Sequence, residues 1–323
     1  MATLSNIRAF DYDQVMLIPK ECKVSSRSSV DVKATLNNGS TFNLPVVPAN
    51  MSSIMDQELA FSLAEKGFFY IMHRFDVDPI DFVGAARERE VFSSISVGVK
   101  SADYDKMLKL YDRGLRPNYV TVDIAHGHSS SVVNMVQSLK SMFPKAYVIA
   151  GNVASVDGAL ALEKAGADAL KCGIAPGLAC TTGPNTGFGS RGWQLSMIEQ
   201  VADALKKADL IADGGIRHDG DIAKSVAFGA DMVMVGSMLA GHDENPGEVV
   251  TDKNGEVYKV YYGSASQQQK GEAKNVEGRS VMVPYKGSIW GTLRRMTENL
   301  QSSVSYAGGY RLSDLQNVEY VIL

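Results

Sequence analysis

Eight short apolar runs, rich in β-branched residues, recur along the chain and constrain its fold more than any other feature. They read LPVVPANM (44–51), FYIMHR (69–74), SISVGV (94–99), YVTVDIA (119–125), AYVIAGN (146–152), ALKCGI (169–174), DLIADGG (209–215) and MVMVGS (232–237). Most lie roughly 25 residues apart, the length of one strand–helix unit. Helix-like stretches such as DQELAFSLAEKG and SVDGALALEKAGA separate them, with apolar residues at helical spacing and a closing Gly. Gly-Ala-Asp occurs twice, in KAGADAL and AFGADMV, each time just ahead of a predicted strand. Strands alternating with helices imply a parallel sheet. An open doubly wound sheet would satisfy the alternation too; the count of eight favours an α/β fold closed into a (β/α)8 TIM barrel. A chain of 323 residues suits one such barrel domain over 1–323.

Two interruptions of the rhythm are expected to carry function. After the sixth run the next begins only roughly 35 residues later, and after the eighth a polar stretch rich in Gly, Gln and Lys follows. Long loops after strands 6 and 8 are therefore predicted: a catalytic loop at about 175–192 and a flap at about 241–284. Both follow strand C-termini, the face on which barrel active sites are built.

Composition narrows the function. The formal net charge is −4, which argues against a nucleic-acid binder. An anionic ligand would have to be held locally, by backbone amides, helix N-termini and a few placed cations. No apolar run reaches the ~20 residues that span a bilayer. MATLSNIRAFDYDQVML lacks the features of a signal peptide. No membrane association and a cytoplasmic location are expected. Cys22, Cys172 and Cys180 form no CxxC pair, against a disulfide framework or cysteine zinc site and in keeping with a reducing cytosol.

Polar and special residues collect at the predicted strand ends: Asn50, His73 with Arg74, Asp123, Asn152, Lys171, Asp213, and Gly236 with Ser237. The sharpest local signal is LKCGIAPGLACTTGPNTGFG, a strand, a Gly/Pro-rich turn, then Cys180, Thr181 and Thr182. A cysteine there is exposed on a loop, where amides or cations can favour the thiolate that a nucleophile needs. Cys172, inside an apolar strand, reads instead as a small buried hydrophobe. DGGI and VGSM follow the last two strands, where loops commonly bind phosphate through backbone amides. Asp213 could then accept hydrogen bonds from ribose hydroxyls. The five histidines form no metal-binding pattern, and His126 and His128 read as structural. No GxGxxG follows the first strand, so a nicotinamide cofactor would lie across the barrel mouth.

At these residues the chain resembles the inosine monophosphate dehydrogenase / GMP reductase family. LKCGIAPGLACTT is similar to the family's cysteine-loop signature, and the likeness extends over FDYDQVMLIP, PANMSSIMD, VDIAHGHS, AGNVAS, DGGIRHDGDIAK, VGSMLAG and EGRSVMVPYKG. The signature departs at Ala175, usually Gly, and at Leu178, often Ser. The first departure bears on a monovalent-cation site, for which the resemblance points to the carbonyls of Gly177 and Cys180; no other metal is expected.

Both reactions of that family pass through an adduct of the cysteine with purine C2. The dehydrogenase oxidises IMP and hydrolyses the adduct to XMP. The reductase expels ammonia from GMP and adds hydride to form IMP. Dehydrogenases usually carry a regulatory insert after the second strand, yet FYIMHRFDVDPIDFVGAARER runs directly into the third. The dehydrogenase flap carries an Arg-Tyr pair that activates water, and GSASQQQKGEAKNVEGR has none. The resemblance therefore implies the reductase reaction with NADPH, through a Cys180 thioimidate. It implies Cys180, Thr182 and Glu277 as catalytic, and Asp213, Gly215, Gly236, Ser237 and Lys274 as binding GMP or IMP. It places Arg74, Asp123 and Asn152 near the nicotinamide or the reacting purine, as candidate cofactor contacts. VSYAGG (304–309) looks like a stretch that meets a neighbouring subunit's cofactor, which implies a homotetramer.

Overall fold

The computed structural model describes residues 8–270 and 276–323. At its centre lies a seven-stranded parallel sheet. In spatial order the strands are Val46–Pro48, Met232–Val235, Asp209–Asp213, Ala169–Cys172, Tyr147–Val153, Tyr119–Asp123 and Ser94–Val97. Of these seven, the strand that comes first in sequence pairs with the one that comes last, Val46 opposite Val233, so the sheet curls in a TIM-like α/β arrangement. Seven of the eight predicted runs supply these strands.

The remaining run, FYIMHR, the second in the chain, forms no ladder. Phe69, Tyr70, Ile71 and Met72 are buried, but a single backbone bond, Met72 N to Ser94 O at 3.1 Å, ties the run to the edge strand. The Met72 carbonyl accepts from the Ser96 hydroxyl at 2.6 Å, a side-chain bond in place of a further backbone rung. Several strands also stop short of the predicted runs. Gly173 has φ 148° and Gly214 has φ 91°, so the chain has already turned where the apolar pattern continues.

Helices start where short polar side chains cap them. Asp56 caps Gln57–Glu65, Asp78 caps Pro79–Glu88 with Pro at its first position, and Ser129 and Ser155 cap Ser130–Met142 and Val156–Ala165. Gly166, with φ 104°, ends the last of these in a left-handed C-cap. Pro79–Glu88 leads straight to Ser94–Val97, without the inserted domain that some relatives carry.

The repeated Gly-Ala-Asp has a structural cause. Asp168 precedes one strand and accepts the Val148 amide of the strand before it at 2.7 Å. Asp231 precedes another and accepts the Leu210 amide at 2.7 Å. Each carboxylate satisfies a donor at the N-terminal edge of the sheet, where the ladder has yet to begin.

The two stretches read as long loops carry structure of their own. Thr182–Thr186 is a short helix, and Val249–Thr251, Val257–Tyr262 and Ser280–Pro284 form a three-stranded antiparallel sheet. The chain ends meet as well: Val15–Leu17 pairs antiparallel with Tyr320–Ile322.

Candidate active site

The strand C-termini open into a cleft of about 950 Å³. Its lining includes Cys180, Thr182 and Glu277, Asp213, Gly215, Gly236 and Ser237, and Arg74, Asp123 and Asn152. Every described residue that the sequence assigned to a site is therefore gathered in one place. Lys274 lies outside the described residues.

One wall holds the cysteine. Cys180 is half-buried, and its thiol donates to Thr182 Oγ1 at 3.3 Å. Thr182 Oγ1 donates in turn to Glu277 Oε2 at 2.6 Å. The backbone sets this register. Thr181 N bonds to Glu277 O at 2.9 Å and Arg279 N to Ala179 O at 2.9 Å, so residues 277–279 lie against Cys180 like a strand. Asn185 Nδ2 reinforces it from the short helix, at 3.1 Å from Val276 O. Cys172, by contrast, is fully buried, and burial pushes its thiol well above the ordinary range. Cys22 is exposed and remote from the cleft lining.

Ala175 stands where the family usually has Gly. Its φ is 65°, left-handed backbone that costs a residue with a Cβ roughly 1–2 kcal/mol. The Gly177 carbonyl accepts from Cys180 N at 3.2 Å and from Arg191 Nη2 at 3.0 Å.

A corner of glycines lines the same cleft. Gly215 has φ 84°, and an added Cβ there would lie 3.2 Å from the Tyr12 ring. A Cβ on Gly236 would lie 2.5 Å from the Tyr261 hydroxyl. Ser237 opens a short 3-10 helix, Ser237–Leu239. The amides of Gly215, Gly236 and Ser237 meet no acceptor among the described residues. Three N–H groups without acceptors in one cleft lining are donors available to an anion. Tyr261, which sequence reasoning missed, is buried beside the corner, and burial first and Asp213 second push its phenol far up.

The floor is a buried polar network. Lys171 Nζ lies 2.7 Å from Asp123 Oδ1, 3.4 Å from Asp213 Oδ2 and 3.3 Å from Asn50 Oδ1. Asn152 Nδ2 donates to Asp213 Oδ2 and to Gly173 O, each at 2.7 Å. A register shift between Gly151 and Val153 takes Asn152 out of the ladder, which re-aims its side chain. Burial alone would raise the Asp123 carboxyl; the Lys171 ammonium, then Arg74 and Asn50, hold it below the usual carboxylate range. Burial would lower Lys171, but the two aspartates outweigh it and keep the ammonium charged. The sequence flagged Lys171 and Asn50 at strand ends without giving them a role. A lysine amid ALKCGI was the available signal, since a buried charge in an apolar strand needs partners.

His73 is buried, accepts the Phe75 amide at 3.2 Å and is held below its usual range by burial. His126 and His128 are exposed and do not line the cleft. Among the described residues, no group of three or more His, Cys, Asp or Glu is arranged to hold a metal.

Against this geometry, likeness to known proteins can be weighed. The sequence profile of the IMP dehydrogenase / GMP reductase domain matches residues 9–322. The chain belongs to the IMP dehydrogenase / GMP reductase family. Within that family it is 54% identical over 315 residues to a GMP reductase of Bacillus subtilis, covering 97% of this chain and 96% of the relative. To a GMP reductase of Oenococcus oeni it is 53% identical over 319 residues, 98% of each. To one of Acidovorax ebreus it is 52% identical over 314 residues, 97% and 96%. The IMP dehydrogenase / GMP reductase assignment thus spans the cysteine wall, the glycine corner and the buried network together.

Proposed function

We propose that this protein is an NADPH-dependent GMP reductase, converting GMP to IMP and ammonia through a thioimidate on Cys180. The observation that carries the reading is the Cys180–Thr182–Glu277 chain of hydrogen bonds, 3.3 and 2.6 Å long, lining one cleft with the glycine corner. Its similarity to the GMP reductases of Bacillus subtilis and Oenococcus oeni supports the same reading.

The chain's direction suggests its use. The Cys180 thiol gives its proton to Thr182, and Thr182 passes its own to the Glu277 carboxylate. The thiolate attacks C2 of GMP, and a Sγ–C2 bond forms. Glu277 returns the proton through Thr182 to the 2-amino group, which leaves as ammonia because amide anion is too poor a leaving group. When bound, NADPH supplies hydride to C2. The Sγ–C2 bond then breaks, Cys180 departs as thiolate, and IMP is released. Splitting one difficult displacement into two steps lowers each barrier.

Substrate and cofactor sit on different parts of the cleft in this reading. The amides of Gly215, Gly236 and Ser237 hold the 5′-phosphate, and Asp213 accepts from the ribose. Lys274 joins the substrate side by resemblance alone. Arg74, Asp123 and Asn152 face the cofactor. That set suits a nicotinamide nucleotide, since Arg74 Nε is a buried donor without a partner among the described residues. The segment 69–74 closes the sheet into the eight-membered barrel, 1–323 is one domain, 175–192 is the catalytic loop and 241–284 the flap. A cytoplasmic homotetramer is part of the same proposal; Tyr306, within VSYAGG, is 56% exposed and free to meet a second copy.

The test is substrate discrimination. Purified protein should oxidise NADPH with GMP and release one ammonia per turnover, and should form no XMP from IMP and NAD⁺. XMP formation would replace this reading with the dehydrogenase one.

A further inference from the structure

Among the described residues lining the cleft, Lys171 is the one fully buried cation, 2% exposed, and the proposed chemistry gives it no task. Its strand, Ala169–Cys172, lies between the strand of Asp213 on one side and the bulged Tyr147–Val153 on the other. Asp123 is a strand further away, opposite Gly151, which in turn sits opposite Lys171. The side chain reaches that far because Gly151 has none. A Cβ on Gly151 would fall 2.6 Å from the Lys171 Cβ. The ammonium passes over this gap and meets Asp123 at 2.7 Å while staying 3.4 Å from Asp213.

One charge thus serves two carboxylates that the proposed function assigns to different ligands. We propose that Lys171 is a positioning residue that couples the nucleotide side of the cleft to the cofactor side, by dividing one buried ammonium between Asp213 and Asp123. This rests on the reading of Asp213 as a substrate contact and Asp123 as a cofactor contact. The physical argument is electrostatic. In a site shielded from water the interaction of an ammonium with a carboxylate is strong, so its position responds to small changes at either partner. A hydroxyl donating to Asp213 weakens that carboxylate's hold and lets the ammonium settle on Asp123. Neutralising Asp123 does the reverse. Lys171 then pairs fully with Asp213, whose oxygens become weaker acceptors for ribose. Asn152 donates to Asp213 and keeps that carboxylate oriented while the charge shifts, and Asn50 Oδ1 gives the ammonium a neutral third acceptor at 3.3 Å.

The inference is tested by equilibrium binding of IMP, with no cofactor present, in a double-mutant cycle. The four proteins are wild type, Asp123→Asn, Lys171→Gln and the double variant. Asp123→Asn is expected to weaken IMP binding about fivefold or more, although Asp123 lies on the cofactor side. In the Lys171→Gln background the same change should alter it by less than about twofold. Equal effects in both backgrounds, or none in the first, would overturn the proposal. If Lys171→Gln does not fold, the reciprocal measurement decides. Asp213→Asn should shift NADP⁺ affinity about fivefold or more with no nucleotide present, and an unchanged affinity would overturn it. Failure of the wild type to bind IMP at all would strike the proposed function instead, so the two can be told apart.

Discussion

Reactivity in this account depends on three side chains in a line. Cys180, Thr182 and Glu277 come from positions 95 residues apart, joined by a 2.6 Å bond between Thr182 and Glu277. Glu277→Gln keeps the shape and can still accept from Thr182, but it cannot take up a proton. Deamination should fall by about 10²–10⁴-fold, the usual worth of a positioned general acid–base, with hydride transfer affected less. Pre-steady-state measurement of ammonia release against NADPH oxidation separates the two, and an unaltered ammonia burst would remove Glu277 from the proton path. At this scale the sequence was most informative for residues in compact motifs. Cys180 and Thr182 were legible because they stand two apart in a Gly-rich turn. Lys171 was visible only as a strand-end residue and Tyr261 not at all, because their significance lies in partners distant in sequence, such as Asp123 for Lys171 and Met51 for Tyr261.

Elements carry the ligand corner. Gly236 stands between a strand and the short helix Ser237–Leu239, with the Tyr261 hydroxyl of the antiparallel sheet 2.5 Å from where a Cβ would be. Gly236→Ala should therefore raise KM for GMP about tenfold, roughly 1.4 kcal/mol of binding, with little change in kcat. Removing the hydroxyl should relieve the clash, so Gly236→Ala with Tyr261→Phe should recover part of the affinity. A KM unchanged by Gly236→Ala would mean that phosphate binds elsewhere. The strands themselves were legible from apolar runs, and seven of eight pair as such. The exception, FYIMHR, shows the limit of the signal. Burial makes a segment apolar whether or not its backbone completes a ladder, and Met72 makes one rung only. The stretch 241–284 misled in the other direction. Its strands are short and lie on a partly exposed sheet, with Val249, Val257 and Met282 facing outward, so no long apolar run marks them.

Across the whole molecule, aspartates stand at both ends of the parallel sheet. At the strand C-termini Asp123 is matched by Lys171. At the N-terminal edge Asp168 is matched by Lys140 at 2.8 Å, while Asp231 meets no cation among the described residues. Burial, opposed by the Leu210 amide and aided by Asp209, raises the Asp231 carboxyl to about 6. A carboxyl whose pKa is raised by folding binds its proton more tightly in the native state. Its ionisation therefore destabilises the fold progressively as pH rises from about 4, the unfolded value, through about 6. Asp231→Asn keeps an acceptor for the Leu210 amide without the charge. The variant should be more stable than wild type at pH 8, by on the order of 2 kcal/mol, and should lose that advantage at pH 4. Chemical denaturation at the two pH values checks it; a difference that does not change with pH would show that Asp231 titrates normally. The repeated Gly-Ala-Asp was visible in the sequence as a connection, but the unequal pairing of its two aspartates is set by which distant lysine reaches which site.

The most direct measurement concerns the sulfur. Cys180→Ala protein, shown to be folded and to bind IMP, is mixed with GMP and NADPH, and NADPH absorbance and ammonia are followed together. The expected result is retained nucleotide binding with neither NADPH oxidation nor ammonia release above the uncatalysed background. Ammonia release and NADPH oxidation continuing near the wild-type rate would contradict a covalent bond between Cys180 and the purine, and with it the central claim.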